Sequence, residues 1–203
     1  MKSSNRPDSC AEAEERPENA RLESDELLYC RYLEHRENED LKILLERHRE
    51  RLTLFLFGIV RNMEDAEELM LDAFAEAAVR TRWRSEGASF KTWLYGVGRN
   101  LACAFLRRNR RTAELYEEAA EGPGPDEDLL RKERDRQLYE AMSILPDDCR
   151  QALHLLYFEE MSVEQAAKVM KKNKKQIYNL TARGKSALKN ELERRGFSDA
   201  QFR

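Results

Sequence analysis

Two helix-capping signals stand close together near the C-terminal end of the sequence. Ser162 is followed three residues later by Gln165, and Asn173 is followed three residues later by Gln176. In each pair the first side chain can accept a hydrogen bond from the backbone of the second residue, while the second side chain accepts one from the backbone of the first. The spacing predicts a short helix to Met170, a tight turn and a longer helix, which is the order of a helix-turn-helix.

The longer helix has two chemically different faces when its residues are placed at helical spacing. The inner face collects small and apolar groups, namely Ile177, Leu180, Thr181, Gly184, Ala187 and Leu188. The outer face carries Lys175, Tyr178, Asn179, Ala182, Ser186 and Lys189, with Arg183 at its edge. Amide, phenol, hydroxyl and cationic groups suit phosphates and base edges in a DNA major groove. Residues 168–189 hold eight bases and no acid, which favours nucleic acid over an ordinary solvated helix face.

The composition predicts an all-α protein. Of 203 residues only 8 are Gly and 5 are Pro, while 37% are charged and 41% are hydrophobic. The segment Gly-Pro-Gly-Pro at 122–125 interrupts the helical pattern, so we expect two small helical domains joined by a flexible acidic linker. The predicted parts are a disordered acidic tail at 1–23, a helical domain at 24–111, the linker at 112–129, a helix-turn-helix domain at 130–195 and a tail at 196–203.

The first domain is predicted to contain four helices. Ser24 caps the first, the second begins near Leu41, the third runs from Asp65 to about Arg80, and the fourth starts near Ser89. On the fourth helix, periodicity places one side toward the core and the other toward solvent. The core side includes Trp93, and the outward side carries Thr92, Tyr95 and Arg99.

The formal net charge of −3 conceals blocks of opposite sign. Residues 80–111 hold nine bases and one acid, and residues 113–128 hold seven acids and no base. Residues 1–30 hold eight acids against four bases. Two basic blocks separated by an acidic one predict two polyanion-binding surfaces joined by a segment that does not bind polyanions.

The sequence carries no signal for a membrane span, a metal site or a catalytic site. The longest apolar run, at 52–60, is far shorter than the ~20 residues of a transmembrane helix, and the N-terminus lacks the apolar segment of a signal peptide. The four cysteines form no C-x-x-C pair, and with only three histidines no metal-ligand spacing appears. We therefore expect a cytoplasmic protein that is not an enzyme, holds no cofactor or metal and does not insert into membranes.

The sequence contains two segments that together resemble bacterial RNA polymerase sigma factors of the extracytoplasmic-function type. The first is DAEELMLDAF at 65–74 with FKTWLYGVGRNLACAFLRR at 90–108, and the second is the stretch from Leu145 to Leu192. The resemblance covers about 24–111 and 130–195. It implies a protein that directs core RNA polymerase to promoters, recognising the minus-ten element with the first domain and the minus-thirty-five element with the second.

The resemblance also implies partners and site residues. The partners would be promoter DNA, an anti-sigma factor, and the β′ clamp helices and β flap of core RNA polymerase. The surface that would meet the β flap contains Leu153, Leu156 and Tyr157. The polymerase-binding residues would be Asp65, Glu67, Glu68, Leu69 and Asp72. The minus-ten residues would be Trp83, Arg84, Ser85, Lys91, Thr92, Tyr95, Arg99, Asn100, Arg107 and Arg108. The minus-thirty-five residues would be Lys174, Lys175, Tyr178, Asn179, Ala182 and Arg183.

Six residues depart from the family's pattern, among them Gly96 and Gly98, which replace the commoner bulky and Ala residues in the promoter-melting helix. Leu71 stands where the polymerase-binding motif has Gln, and Lys171 stands where the helix-turn-helix has its turn Gly. Tyr178 and Leu180 occupy positions where cations are common, so the family's minus-thirty-five preference does not transfer to this chain.

Two other functions fit the sequence. An operator-binding regulator would use only the helix-turn-helix, which leaves the acidic third helix without a role. A sigma-like protein-interaction module would bind polymerase or an anti-sigma factor without using promoters. The acidic linker fits an RNA mimic or a soluble tether equally well, and the acidic tail suggests a competitor for the basic faces.

Overall fold

The computed structural model describes residues 23–82, 88–113 and 142–194, and within these ranges the chain is helical without a strand. The elements are α1 (Asp25–His35), α2 (Asn38–Val60), α3 (Met63–Val79), α4 (Phe90–Ala113), α5 (Asp147–Leu153), a π-helical turn (His154–Phe158), α6 (Val163–Met170) and α7 (Lys174–Arg194). This confirms the predicted all-α class. Both predicted tails and the linker lie almost wholly outside the described residues.

Two helices begin earlier than the sequence predicted. The N-terminus of α2 is at Asn38 rather than near Leu41, because the buried Asp40 in its first turn is held by the Arg31 guanidinium of α1 at 2.5 Å. The N-terminus of α3 precedes Asp65, because Asn62 is the capping residue and accepts a hydrogen bond from the Asp65 backbone N–H at 3.2 Å. A carboxylate in the first turn also interacts favourably with the helix dipole.

Helix α1 is fastened to the C-terminal end of α3. The Tyr29 hydroxyl donates to the Ala77 carbonyl at 3.0 Å, and the Tyr32 hydroxyl donates to the Ala78 carbonyl at 2.9 Å. The Arg36 guanidinium donates to the same Ala78 carbonyl at 3.0 Å. The last four carbonyls of a helix have no partner within the helix, so α1 supplies from outside the donors that α3 lacks.

One continuous apolar core connects the N-terminal helices to the helix-turn-helix. From α2 and α4 it contains buried side chains that include Leu44, Leu52, Phe55, Leu56, Phe90 and Leu94. From the C-terminal helices it contains Leu155, Met161, Val169, Met170 and Ile177. The two groups of helices therefore pack directly against each other.

The helix-turn-helix forms as the capping signals predicted. The Gln165 backbone N–H donates to the Ser162 hydroxyl at 3.2 Å, and the Ser162 N–H donates to the Gln165 side chain at 2.8 Å. Asn173 and Gln176 exchange the same pair of bonds, both at 2.8 Å. Lys171 adopts φ of 52°, in the left-handed region that favours glycine, which explains why this turn position commonly holds Gly.

We predict opposite effects for two glycine substitutions in the helices. A methyl group on Gly184 of α7 would lie 2.9 Å from Leu153 Cδ1 and 3.3 Å from Cys149 Cβ, so Gly184→Ala should lower the free energy of unfolding by about 1–3 kcal/mol. A methyl group on Gly96 of α4 would meet nothing within 4 Å, so Gly96→Ala should raise it by up to about 1 kcal/mol. Urea denaturation of both variants measures the difference, and equal effects would contradict the packing of α7 on α5.

Candidate nucleic-acid and partner-binding surfaces

The outer face of α7 is open to solvent. The residues expected to read duplex DNA are all exposed, namely Lys174, Lys175, Tyr178, Asn179, Ala182 and Arg183. The side chain of Ile177 on the opposite face is buried, whereas Tyr178 is 61% exposed. The predicted separation of the two faces is therefore confirmed, and α7 presents an aromatic ring among cations and an amide.

The cations on this surface differ in what they contact. Lys174 forms an ion pair with Glu164 of α6, and this pairing raises the pKa of the Lys174 ammonium and lowers the pKa of the Glu164 carboxyl. Lys172 lies 3.0 Å from Asp148, and the ammonium of Lys185 lies 4.8 Å from the ring centre of Tyr157. Part of the positive charge is therefore already balanced within the C-terminal helices.

The minus-ten residues of α4 do not form an open face. Thr92 and Tyr95 are buried, so their expected outward orientation is wrong for this structure. The reason is tertiary, because the Tyr95 ring packs against Phe55 of α2, while Lys91 and Arg99 on the same side contact residues of the C-terminal helices. Trp93 packs partly buried against the core, as expected, with Arg80 stacked 4.8 Å from its ring centre.

Other members of the minus-ten set have different positions. Asn100, Arg107 and Arg108 are exposed along the second half of α4. Trp83, Arg84 and Ser85 lie outside the described residues.

Two cations of α4 bind polar groups from the C-terminal helices. The Lys91 ammonium lies 2.8 Å from the Glu159 carboxylate and donates to the Glu159 backbone carbonyl at 2.9 Å. The Arg99 guanidinium donates to the side-chain oxygen of Gln151 at 2.7 Å and lies 3.9 Å from Asp148. These contacts place carboxylate and amide oxygens beside two cations that were predicted to bind nucleic acid.

Glu159 is the most deeply buried carboxylate in this set of contacts, with its side chain only 1% exposed. Burial by itself raises the pKa of a carboxyl group, but the adjacent His154 ring and Lys91 ammonium outweigh it and lower the pKa of Glu159 to about 2. The His154 Nε2 atom lies 3.4 Å from the carboxylate. Glu159 therefore remains charged inside the protein.

A second buried charge, on Arg150, fastens α5 to α2. The Arg150 guanidinium donates to the Gly58 carbonyl of α2 at 2.7 Å and to the Leu145 carbonyl at 2.9 Å, and it pairs with Asp147. Burial and the neighbouring Arg61 lower the pKa of the Arg150 guanidinium. The roles of Arg150 and Glu159 could not be predicted from the sequence, because charged residues between helical apolar positions give no local sign of being buried.

Helix α3 carries an acidic surface around an exposed leucine. Glu67, Glu68 and Asp72 are exposed, as a docking helix requires. Leu69 lies in the core with 6% exposure, so its expected role as the apolar docking contact is corrected. Leu71 is 55% exposed and provides the apolar surface between the carboxylates.

Three further observations bear on the predicted sites. Asp65 is half-buried, and burial raises the pKa of its carboxyl group. In the surface expected to face the β flap, Leu153 is buried and Tyr157 is exposed.

None of the helices in the described ranges is long and apolar enough to cross a membrane, and no cluster of metal-binding side chains occurs in that part of the chain.

Two family descriptions match the chain. Residues 44–112 match Sigma-70 region 2, which covers most of α2 with all of α3 and nearly all of α4. Residues 135–188 match Sigma-70, region 4, which includes the helix-turn-helix.

Relatives from three bacteria are similar to the chain over most of its length. It is 31% identical over 153 residues to "Probable RNA polymerase sigma factor RfaY" of Xanthomonas campestris pv. campestris. This alignment covers 71% of this chain but only 38% of the longer relative. It is 30% identical over 145 residues to the RNA polymerase sigma-H factor of Pseudomonas aeruginosa, covering 64% of this chain and 74% of the relative. It is 26% identical to the ECF RNA polymerase sigma factor SigM of Bacillus subtilis, covering 71% of this chain and 90% of the relative.

A solved structure has the same fold. The sigma factor RpoE of Bartonella quintana, solved in complex with the anti-sigma factor NepR, superposes with a TM-score of 0.67 and 23% identity. The match covers 76% of this chain and 98% of RpoE.

We predict that Glu159 makes folding stability depend on pH in the acid range. Its pKa falls from 4.5 to about 2 on folding, so its contribution is fully present above pH 4.5 and is lost as the pH falls through about 2. Between about pH 6 and about pH 3 the wild type should lose about 2 kcal/mol of unfolding free energy that Glu159→Gln does not lose.

Urea denaturation at the two pH values measures this difference. Glu160→Gln is the matched control, since Glu160 is the exposed neighbouring acid. A wild type and a Glu159→Gln variant with parallel pH profiles would contradict the buried charge.

Proposed function

The chain belongs to the RNA polymerase sigma factors of the extracytoplasmic-function class, and from this membership we propose which of its surfaces carry out each step of promoter recognition. Sigma factors are transcription initiation factors rather than catalysts, and this one directs core RNA polymerase to promoters. We propose that residues 24–111 and 130–195 are its two functional domains. The family matches at 44–112 and 135–188 support this division.

We propose that α7 reads the minus-thirty-five element. The observation that carries the assignment to DNA is the exposed outer face of this helix. Lys174, Lys175, Tyr178, Asn179, Ala182 and Arg183 lie exposed on one helix that is preceded by a capped tight turn. Lys175 and Arg183 would bind phosphates or guanine edges, and Asn179 would bind an adenine edge. Tyr178 would contact a thymine methyl or a sugar in place of the usual cation.

We propose that α4 and the segment before it recognise the minus-ten element. Lys91 and Arg99 would follow the phosphates of the unpaired strand, and the aromatic ring of Trp83 would stack on its bases. Asn100, Arg107 and Arg108 are exposed on the same helix and would contact the adjoining duplex. Arg84 and Ser85 complete the proposed set.

We propose that the exposed side of α3 docks on the β′ clamp helices of the polymerase. Carboxylates around an apolar centre complement a basic surface that has its own apolar contact. In this proposal Leu71 replaces Leu69 as the apolar contact, and Glu67, Glu68 and Asp72 supply the charge. Tyr157 is the proposed contact for the β flap.

We propose an anti-sigma factor as a regulatory partner. The structural neighbour RpoE was solved with the anti-sigma factor NepR, and it shares the fold of this chain. We propose the bacterial cytoplasm as the site of action, because the polymerase and the promoters are there.

We predict that two substitutions on α3 weaken binding to polymerase. Purified wild-type protein should co-elute with core RNA polymerase lacking sigma, and the Leu71→Ala, Asp72→Ala double variant should bind at least about tenfold more weakly, because it removes the apolar centre and a carboxylate. The matched control is the Leu27→Ala, Glu34→Ala double variant, which removes an exposed leucine and an exposed acid from α1.

Equal co-elution of the α3 variant and the control would contradict the docking surface. A wild type that binds duplex DNA without binding polymerase would favour the operator-binding regulator.

We predict that Lys175 contributes one phosphate contact. Lys175→Ala should weaken binding to all duplexes alike and reduce the slope of log affinity against log salt by about one, because one fewer counterion is released. Fluorescence anisotropy with a labelled duplex over a salt series measures the slope. Lys42 is an exposed lysine of α2, and Lys42→Ala should leave this slope unchanged. An equal change of slope in both variants would contradict the assignment to α7.

A further inference from the structure

Helix α1 contacts both helices that flank the proposed strand-binding segment. That segment joins α3 to α4, and in the sequence it holds Trp83, Arg84 and Ser85. We propose that α1 is a positioning element for capture of the unpaired minus-ten strand, with Arg36 holding the end of α3 and Glu26 holding the start of α4. This inference rests on the proposed function.

The end of α3 receives hydrogen-bond donors from Arg36. Its guanidinium donates to the Arg80 carbonyl at 2.6 Å and to the Ala78 carbonyl at 3.0 Å. Arg80 is the C-terminal capping residue of α3, so Arg36 binds the backbone at the point where the segment begins. The last turn of α3, which the structure describes in full, contains no base. Arg36 therefore also brings positive charge to the negative end of this helix dipole.

The start of α4 receives an acceptor from Glu26 in the first turn of α1. The Glu26 Oε1 atom accepts a hydrogen bond from the Phe90 backbone N–H at 3.0 Å. The first N–H groups of a helix have no partner within the helix, and Ser89 satisfies only that of Thr92, at 3.1 Å. The first turn of α4, which is also described in full, contains no acidic residue. The carboxylate that complements its dipole therefore comes from α1.

A cluster of rings joins the two ends to each other. The ring centre of Tyr29 in α1 lies 4.7 Å from that of Phe90 and 5.7 Å from that of Trp93. The Arg80 guanidinium lies 4.8 Å from the Trp93 ring centre, so the capping residue of α3 contacts the first turn of α4. Tyr29 is fully buried. The two ends are therefore fixed relative to each other as well as to α1.

Helix α1 can position these ends because it is itself held on α2. The Arg31 guanidinium donates to both carboxylate oxygens of Asp40, at 2.5 and 2.7 Å. Asp25 accepts a hydrogen bond from Arg47 at 2.7 Å and lies 2.7 Å from the His48 Nε2 atom. A bidentate pair of this kind fixes orientation as well as distance. The α1 side chains that reach α3 and α4 therefore start from a fixed backbone.

Fixed ends favour the reading of bases more than the attraction of phosphates. Stacking and base-edge contacts depend on orientation, whereas phosphate contacts carry no sequence information and depend mainly on charge. A segment with fixed ends also loses less conformational freedom when it binds a strand. Loss of Glu26 or Arg36 should therefore reduce discrimination between strands, and a merely structural role would not have this effect.

The test uses the full chain assembled with core RNA polymerase. The probe is a single-stranded oligodeoxynucleotide that the wild-type holoenzyme enriches from a random pool, and the reference is an oligonucleotide with the same bases in scrambled order. Fluorescence anisotropy measures the affinity for each. The ratio of the two affinities is the selectivity. Inactive protein lowers both affinities by the same factor and leaves this ratio unchanged.

We expect Glu26→Ala to lower the selectivity at least about fivefold, because the loss of one base stack has an effect of at least that size. Glu26→Gln keeps a side-chain oxygen that can accept from the Phe90 N–H, and it should keep most of the selectivity. The matched control is Glu34→Ala, which removes an exposed carboxylate from the same helix and should match the wild type.

Arg36→Ala provides a second variant that leaves Glu26 intact. It removes the bonds to the end of α3 and should lower the selectivity in the same direction. Arg49→Ala, which removes an exposed arginine from α2, should leave the selectivity unchanged. Circular dichroism and co-elution with the polymerase verify that each variant is folded and assembled.

Two results would overturn the positioning role while leaving the sigma-factor assignments intact. One is wild-type selectivity in both Glu26→Ala and Arg36→Ala, including the case where both affinities fall equally. The other is a Glu26→Gln variant as impaired as Glu26→Ala, which would contradict the hydrogen bond to Phe90. If the wild-type holoenzyme enriches no oligonucleotide beyond core polymerase alone, the minus-ten assignment fails, and the positioning role fails with it.

Discussion

A buried carboxylate that stays charged must be held by cations or polar groups, and in this protein those groups come from two groups of helices. Glu159 follows the π-helical turn, His154 belongs to that turn, and Lys91 comes from α4. Removing one member would leave a buried charge without compensation, which costs several kcal/mol. The position of the helix-turn-helix on the N-terminal helices therefore depends on this cluster and on the neighbouring Arg150.

The charges that are not buried are sorted by surface. Carboxylates surround Leu71 on α3, whereas cations line the outer face of α7. The two surfaces belong to different helices, so the acidic and the basic surface are separate. A small acidic net charge is consistent with strong local fields of both signs, since affinity for a polyanion depends on the local patch.

Local structure in this chain could be predicted from the sequence with considerable success. The helix-turn-helix followed from Ser162, Gln165, Asn173 and Gln176, because capping bonds join residues three positions apart. The start of α3 was predicted too late, because the capping bond of Asn62, which is also three residues from its partner Asp65, was not considered. Leu69 was assigned to the docking surface, whereas the structure buries it in the core.

The sequence by itself determined the helical class, the two faces of α7 and the family resemblance, since periodicity, capping and charge act between residues close together in the chain. Only the tertiary structure decided that Thr92 and Tyr95 are covered and that Lys91 faces a carboxylate rather than solvent. These facts depend on contacts between residues far apart in sequence, 68 positions for Lys91 and Glu159 and 52 for Arg99 and Gln151. No periodicity within a single helix encodes such a contact, because it depends on which other helix packs against that face.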